Sequence, residues 1–216
     1  MLVGAVGVAA PLLGLGCFAH ATNGTGPLAD EELKPAAIAI HADRAEAALE
    51  GDLGEGTAKR LRALLRANPA IRVLSLESDG GLVDEAEQIG DIVAARGLAT
   101  LVRSSCVSAC TLAYVRGRER LAQDGARLGF HAPWIPAENG AEEQVASDDE
   151  RQAYEAAGIA ADFVAEALAV PANSIWFPEN ARLLAARVVT EVLAAEQVPG
   201  RLTKLAEPQR LAAAAP

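Results

Sequence analysis

"SSCVSACTLAYVRG", residues Ser104 to Gly117, is the stretch on which the reading of this chain turns. Two cysteines stand four apart with a serine midway between them, and an apolar run follows at once. The run reads as a helix. Ser108 is then either a nucleophile held at a helix start or a small residue packed where nothing larger fits. The stretch alone leaves both readings open, so its neighbours decide.

Upstream, "LATLV" (98–102) reads as a strand feeding the stretch. Before it, "IRVLSLES" (71–78) is a buried strand running into Asp79-Gly80-Gly81. The following helix puts Val83, Ala86, Ile89 and Val93 on one stripe and closes at Arg96-Gly97. Earlier still, "AAIAIHA" (36–42) alternates as a strand, and the glycines of 50–54 mark a turn. "GTAKRLRALLRAN" follows as a helix that stops at Asn68-Pro69. Downstream, "ARLGFHAP" (126–133) gives a strand ending at His131. Residues 137–152 are acidic and without an apolar stripe, an expected exposed loop; a helix is expected from Tyr154 to Val170. Another helix and a last short strand complete the domain, and the alanine-rich chain beyond Pro199 reads as frayed.

Strands alternating with helices imply an α/β fold with a mostly parallel sheet and βαβ crossovers. Ligands in such folds bind beyond the carboxyl ends of the strands. Gly80-Gly81, the Ser104–Ser108 turn and His131 are all expected there. Acyl transfer needs those parts: a hydroxyl with a base to take its proton, and two N–H groups aimed at the developing oxyanion. Each such donor is worth roughly 3–4 kcal/mol of barrier. A helix start offers a free N–H, and a glycine turn lets a backbone donor approach unobstructed. Singly, each part has a plainer reading: a helix-start serine, a strand-end histidine, an ordinary βα turn. Trp176-Phe177 reads as a core anchor, and His41 takes no role.

The order of these segments resembles the ClpP/crotonase superfamily, and in particular the proteolytic subunit of the Clp protease. The chain also resembles exported bacterial members of that superfamily that carry a Cys-x-Ser-Ala-Cys segment. The resemblance spans roughly residues 36–192 and rests on "SDGG", "SSCVSAC" and "FHAP" in that order. It implies Ser108 as nucleophile, His131 as general base, and the Gly81 and Ala109 N–H groups as the oxyanion hole. It implies an aspartate near Asn173–Ser174, where none stands; Asn173 is the candidate to orient the imidazole, with Asp162 a substitute if its helix turns inward. A homo-oligomer is implied as well. A serine–lysine dyad is excluded because the only lysine after Ser108 is Lys204. An acyl-CoA enzyme of the crotonase type does not fit a Cys-Val-Ser-Ala-Cys segment where a glycine-rich one is usual.

Composition narrows the partners. The chain has 216 residues and a formal net charge of -10, which argues against nucleic acid as the main partner. Residues 1–21, uncharged up to Phe18 and ending in "AHA", read as an export signal cleaved after Ala21; the basic leader is missing, which raises a start upstream of Met1. An uncleaved anchor is the alternative and the only expected tie to a membrane; lipidation at Cys17 is disfavoured by Gly14. Residues 22–35 read as a linker, 36–198 as the domain and 199–216 as the tail. Export would put Cys106 and Cys110 in an oxidising compartment, as a disulfide or as two buried thiols. A bridge requires Cys106 just off the helix. No metal or organic cofactor is expected, since two cysteines and His131 lack a fourth zinc ligand. The expected activity is exported, serine-dependent hydrolysis of a peptide or other acyl bond. The alternative is an inactive ClpP-like binding or assembly module, favoured by the missing aspartate and by a disulfide that locks the Ser108 turn.

Overall fold

The computed structural model describes residue 33, residues 35–136 and residues 142–207. The export segment, most of the linker, Cys17 and residues 208–216 lie outside the described residues. Nine strands and seven α-helices follow in order among those described: β1 Pro35–His41, β2 Glu46–Leu53, α1 Thr57–Ala67, β3 Val73–Ser78, α2 Val83–Arg96, β4 Ala99–Val107, α3 Cys110–Tyr114, β5 Arg120–Gln123, β6 Arg127–Gly129, β7 Trp134–Pro136, β8 Glu142–Gln144, α4 Asp148–Ala156, α5 Ala161–Ala169, α6 Asn180–Ala185, β9 Glu191–Leu193 and α7 Val198–Ala206. The main sheet runs β1-β2-β3-β4-β5-β9, with β6 also on β4. Only β1 is antiparallel to its neighbour in that sheet.

The alternation of β3 shows how the sheet is sandwiched. Leu74 and Leu76 point into the larger core with Leu61 and Leu65 of α1 and Ile89 and Val93 of α2. Val73 points the other way, into a second cluster with Leu101, Leu121 and the α7 residues Val198, Leu202 and Leu205. Glu85 of α2 ties the two helices of the larger core's layer together. Its carboxylate accepts the N–H groups of Gly56 (2.8 Å) and Ala58 (2.7 Å), satisfying donors at the start of α1 that its own turn leaves unpaired.

Five expectations need correction. Residues 46–53 form a whole strand, not a turn at 50–54, because pairing with β1 and β3 overrides the helical leaning of its alanines and glutamates. The segment Ser104–Ser108 is not all turn and the helix after it is short: Ser105–Val107 continue β4 beside Arg127–Gly129, and α3 is only Cys110–Tyr114. It ends where the Thr100 hydroxyl donates to the Tyr114 carbonyl (2.8 Å). The acidic stretch contains β8 and the start of α4. The helix expected over 154–170 is two, broken at Gly158 (φ 77°). Finally, the chain from Pro199 to Ala206 is not frayed but helical, and packs through Leu202 and Leu205.

On the sheet face away from α1 and α2, Glu46 is 1% exposed and bound by Arg103 (2.6 and 3.1 Å) and the Ser75 hydroxyl (2.6 Å). Burial pushes the Glu46 carboxyl up, but the Arg103 and Ser75 hydrogen bonds and the charges of Arg103 and Arg44 outweigh it and hold the group below the ordinary carboxylate range. A depressed folded pKa means the pair stabilises fully above the unfolded carboxylate's value and is lost as pH falls through the lower folded one. Arg103→Ala is therefore expected to cost about 2–3 kcal/mol near pH 7, less than a fully buried pair because Arg103 is partly exposed. That cost shrinks in acid as Glu46 takes up a proton. Urea unfolding of both proteins at pH 7 and near pH 3 checks it, and an unchanged difference would contradict it.

Candidate active site

Ser108 lies one residue beyond β4 and adopts φ 55°, one of three non-glycine residues with positive φ among those described. A left-handed serine costs about 1–2 kcal/mol, so the surroundings must impose it. They do so from both sides. The Ser108 N–H donates to the Gly129 carbonyl (2.9 Å). The Ser108 carbonyl accepts from the Thr111 N–H (2.9 Å) and from the Thr111 hydroxyl (2.7 Å). With its proton so committed, the Thr111 oxygen accepts from the buried Tyr154 hydroxyl of α4 (2.7 Å). Burial pushes the Tyr154 phenol above its ordinary range, which keeps that donor protonated. The Ser108 hydroxyl is half-buried and makes no hydrogen bond among the described residues.

Gly80 and Gly81 stand against this turn. A Cβ on Gly80 would come 2.8 Å from the Ser108 Cβ. Gly81 pairs in parallel with Leu53: Leu53 N–H donates to Gly80 O (2.7 Å) and Leu82 N–H to Leu53 O (3.0 Å). Those bonds use the residues on either side of Gly81. Its own N–H therefore faces away from β2, toward the edge where β4 ends. Neither the Gly81 N–H nor the Ala109 N–H has an acceptor among the described residues. Two unused donors thus flank the end of β4.

His131 lies two residues beyond β6, whose Gly129 pairs with Val107 of β4. Residues 170–176 return beside it: Phe130 and Trp176 exchange both backbone hydrogen bonds at 2.9 Å, and Ala132 N–H donates to Val170 O (2.9 Å). Phe130 and Ala132 are buried, while His131 between them is half-buried. Phe130 packs edge-on to Phe163 (5.1 Å), and Trp176 lies 5.0 Å from Phe163, as the core-anchor reading of Trp176 expects. His131 Nδ1 is 2.7 Å from the Ala132 carbonyl oxygen. A carbonyl only accepts, so Nδ1 carries the proton and Nε2 is left as the basic nitrogen. Sequence reasoning had no signal for this contact, since any residue supplies a backbone carbonyl. Ser108 and His131 share no hydrogen bond in this structure.

Asn173 is exposed in the Pro171–Ser174 turn and makes no hydrogen bond to His131. Asp162 points outward: its carboxylate is 74% exposed and pairs with Arg182 (3.2 Å), so it is not a substitute. Cys106, on β4, and Cys110, the first residue of α3, are joined in a disulfide with Cα atoms 5.4 Å apart. Among the described residues no cluster of His, Cys, Asp and Glu is gathered to hold a metal ion, and no helix is long and apolar enough to cross a membrane. A cavity of about 460 Å³ between α2, α3 and α4, lined by Glu87, Asp91, Asp149 and Arg116, includes neither Ser108 nor His131.

The mostly parallel α/β sheet flanked by helices is a ClpP-like fold by its likeness to solved structures. ClpP1 from Listeria monocytogenes superposes with a TM-score of 0.56 at 14% identity, over 73% of this chain and 96% of that one. The membrane-bound stomatin-specific protease 1510-N, a mutant in complex with a substrate peptide, gives 0.55 at 15% identity, over 68% of this chain and 73% of that one. The ClpP catalytic domain of Plasmodium falciparum gives 0.53 at 13%, over 72% and 88%. At these identities the likeness is one of fold. No protein-family model and no curated protein matches the chain.

Proposed function

We propose that this protein is an exported serine hydrolase acting on peptide or other acyl bonds. Ser108 attacks the acyl carbon, His131 Nε2 takes its proton and returns it to the leaving group, and the Gly81 and Ala109 N–H groups hold the oxyanion. Asn173 stays the side-chain candidate for orienting His131 from the 171–174 turn, alongside the Ala132 carbonyl. The observation that carries the reading is the strained Ser108 turn, whose unpaired hydroxyl packs against Gly80, next in sequence to the unused Gly81 donor, while Ser108 itself precedes the unused Ala109 donor. A peptide substrate is supported by the peptide-bound neighbour of the same fold. Export is supported by the disulfide, which suits an oxidising compartment, and cleavage after Ala21 belongs to the same reading, as does a homo-oligomer.

Activated nitrophenyl esters test the chemistry. An acyl-enzyme that forms faster than it hydrolyses gives a burst of nitrophenol stoichiometric with protein. Absence of both burst and turnover, from folded protein, would reject the reading. It would favour the second one, an inactive binding or assembly module, for which the missing Ser108–His131 hydrogen bond speaks. Such bonds often tighten only when substrate is bound.

A further inference from the structure

We infer that the Cys106–Cys110 disulfide is a positioning element that holds Ser108 in its reactive conformation, so that the oxidised protein is the competent form. The inference rests on the hydrolase reading above and adds to it a control on the nucleophile.

A bridge across a catalytic turn could equally close it. Its location decides between the two effects. Both cysteines are 0% exposed and belong to the main hydrophobic core, whereas Ser108 between them is half-buried with its hydroxyl unpaired. The bridge therefore runs beneath the turn and leaves its mouth open. Its two ends are anchored in different elements. Cys106 is registered in β4 against Ser78 of β3 and Leu128 of β6. Cys110 begins α3. The bridge fixes strand end to helix start across a turn whose middle residue must be left-handed. A serine leaves that conformation unless held.

The other restraints reach Ser108 only through its backbone: Gly129 O on one side and Thr111 on the other. Thr111 sits one residue past Cys110, so a shift of Cys110 moves this restraint too. Between the pairs Leu76–Val102 and Ser78–Cys106 the register slips, because β4 carries extra residues there. Such a bulge leaves residues of β4 unpaired with β3 and interrupts the ladder there. The disulfide pins the strand on the far side of that bulge, where the nucleophile emerges.

Reduction would proceed by two thiol equivalents of a dithiol reductant. The S–S bond breaks, Cys106 and Cys110 each gain a hydrogen, and the reductant leaves as its own disulfide. With the bridge open, Ser108 is expected to relax out of the left-handed region and its hydroxyl to move relative to the two oxyanion donors. A misplacement of that size lowers reactivity roughly hundredfold.

The test uses the purified protein, oxidised, reduced with dithiothreitol, and reoxidised, together with a Cys106→Ala/Cys110→Ala double variant. A fluorophosphonate probe gives the maximal inactivation rate and the probe's half-saturating concentration separately. The expected result is a roughly hundredfold fall in the maximal rate on reduction and in the double variant. Half-saturation stays unchanged and reoxidation restores the rate. A second measurement does not depend on activity: the amide–Hα coupling and the Cα and Cβ shifts of Ser108 by NMR. They are expected to leave left-handed values on reduction while near-ultraviolet circular dichroism from Trp134 and Trp176 stays native. Equal labelling of oxidised and reduced protein would overturn the inference and leave the hydrolase reading standing. A Ser108 that moves on reduction in a protein labelling in neither state would support positioning and reject the hydrolase. Unchanged Ser108 signals would overturn the inference whatever the labelling. Global unfolding on reduction would overturn it too, because the bridge would then carry the fold and not the turn.

Discussion

Ser108→Ala is expected to reduce hydrolysis by roughly 10⁴- to 10⁶-fold, leaving only what the oxyanion donors and substrate binding provide. His131→Ala is expected to fall in the same range. The double variant should be no worse than either, because nucleophile and base act as one unit. A merely structural serine predicts the opposite pattern: modest losses that track stability. Stability supplies an independent arm. Ser108 holds φ 55°, where a Cβ is strained and glycine is not. Ser108→Gly relieves that strain but frees the unfolded chain, which takes back part of the gain. The net expectation is that Ser108→Gly is more stable than Ser108→Ala by about 0.5–1 kcal/mol, while both are inactive. Kinetics on an ester substrate and denaturant unfolding of the three proteins check both arms. An alanine variant with activity within tenfold of wild type would remove Ser108 from the chemistry.

Gly81→Ala is expected to be the most damaging glycine substitution. Its Cβ would lie 2.7 Å from the Leu53 nitrogen and 2.8 Å from the Leu53 oxygen, both backbone atoms inside the sheet. Its φ of 132° adds backbone strain that alanine does not tolerate. Neither neighbour can rotate away, so β2 and the Gly81 strand end must separate and lose the bonds from Leu53 and Leu82. Overpacking and strain together come to about 3–5 kcal/mol, a large part of a domain's net stability. Gly125→Ala is the control, because it shares a positive φ (85°) but meets nothing within 4 Å. It should cost about 1 kcal/mol. Thermal unfolding of the two variants separates steric approach from φ alone, and equal losses would contradict the account.

The parts of the fold that were readable in sequence are those whose local pattern matches their final state. The β3–α2–β4 unit is one: "IRVLSLES" is aliphatic and β-branched, and the α2 stripe Ala86, Ile89 and Val93 is buried as its spacing predicts. The placement of Gly80-Gly81, Ser108 and His131 just past β3, β4 and β6 follows from the same alternation. Long-range pairing hid the rest. "EAALEGDL" has helical propensity and becomes a strand only between β1 and β3. Ser105–Val107 read as part of a turn until Arg127–Gly129 is brought alongside. Helix α7 did carry a signal, since Val198, Leu202 and Leu205 recur at helical spacing and Pro199 stands where a proline suits a helix start. At the site, side-chain candidates were visible and backbone partners were not. The Ala132 carbonyl on His131 Nδ1 and the Thr111–Tyr154 chain behind the Ser108 carbonyl depend on where the main chain goes.

The central claim is an activated serine at position 108, and mass spectrometry of the fluorophosphonate-treated, oxidised protein tests it most directly. The account predicts one probe per chain, mapped to Ser108 after proteolysis, and lost in His131→Ala although that variant retains the native circular dichroism. No adduct on folded protein, or an adduct on any other residue, would contradict it.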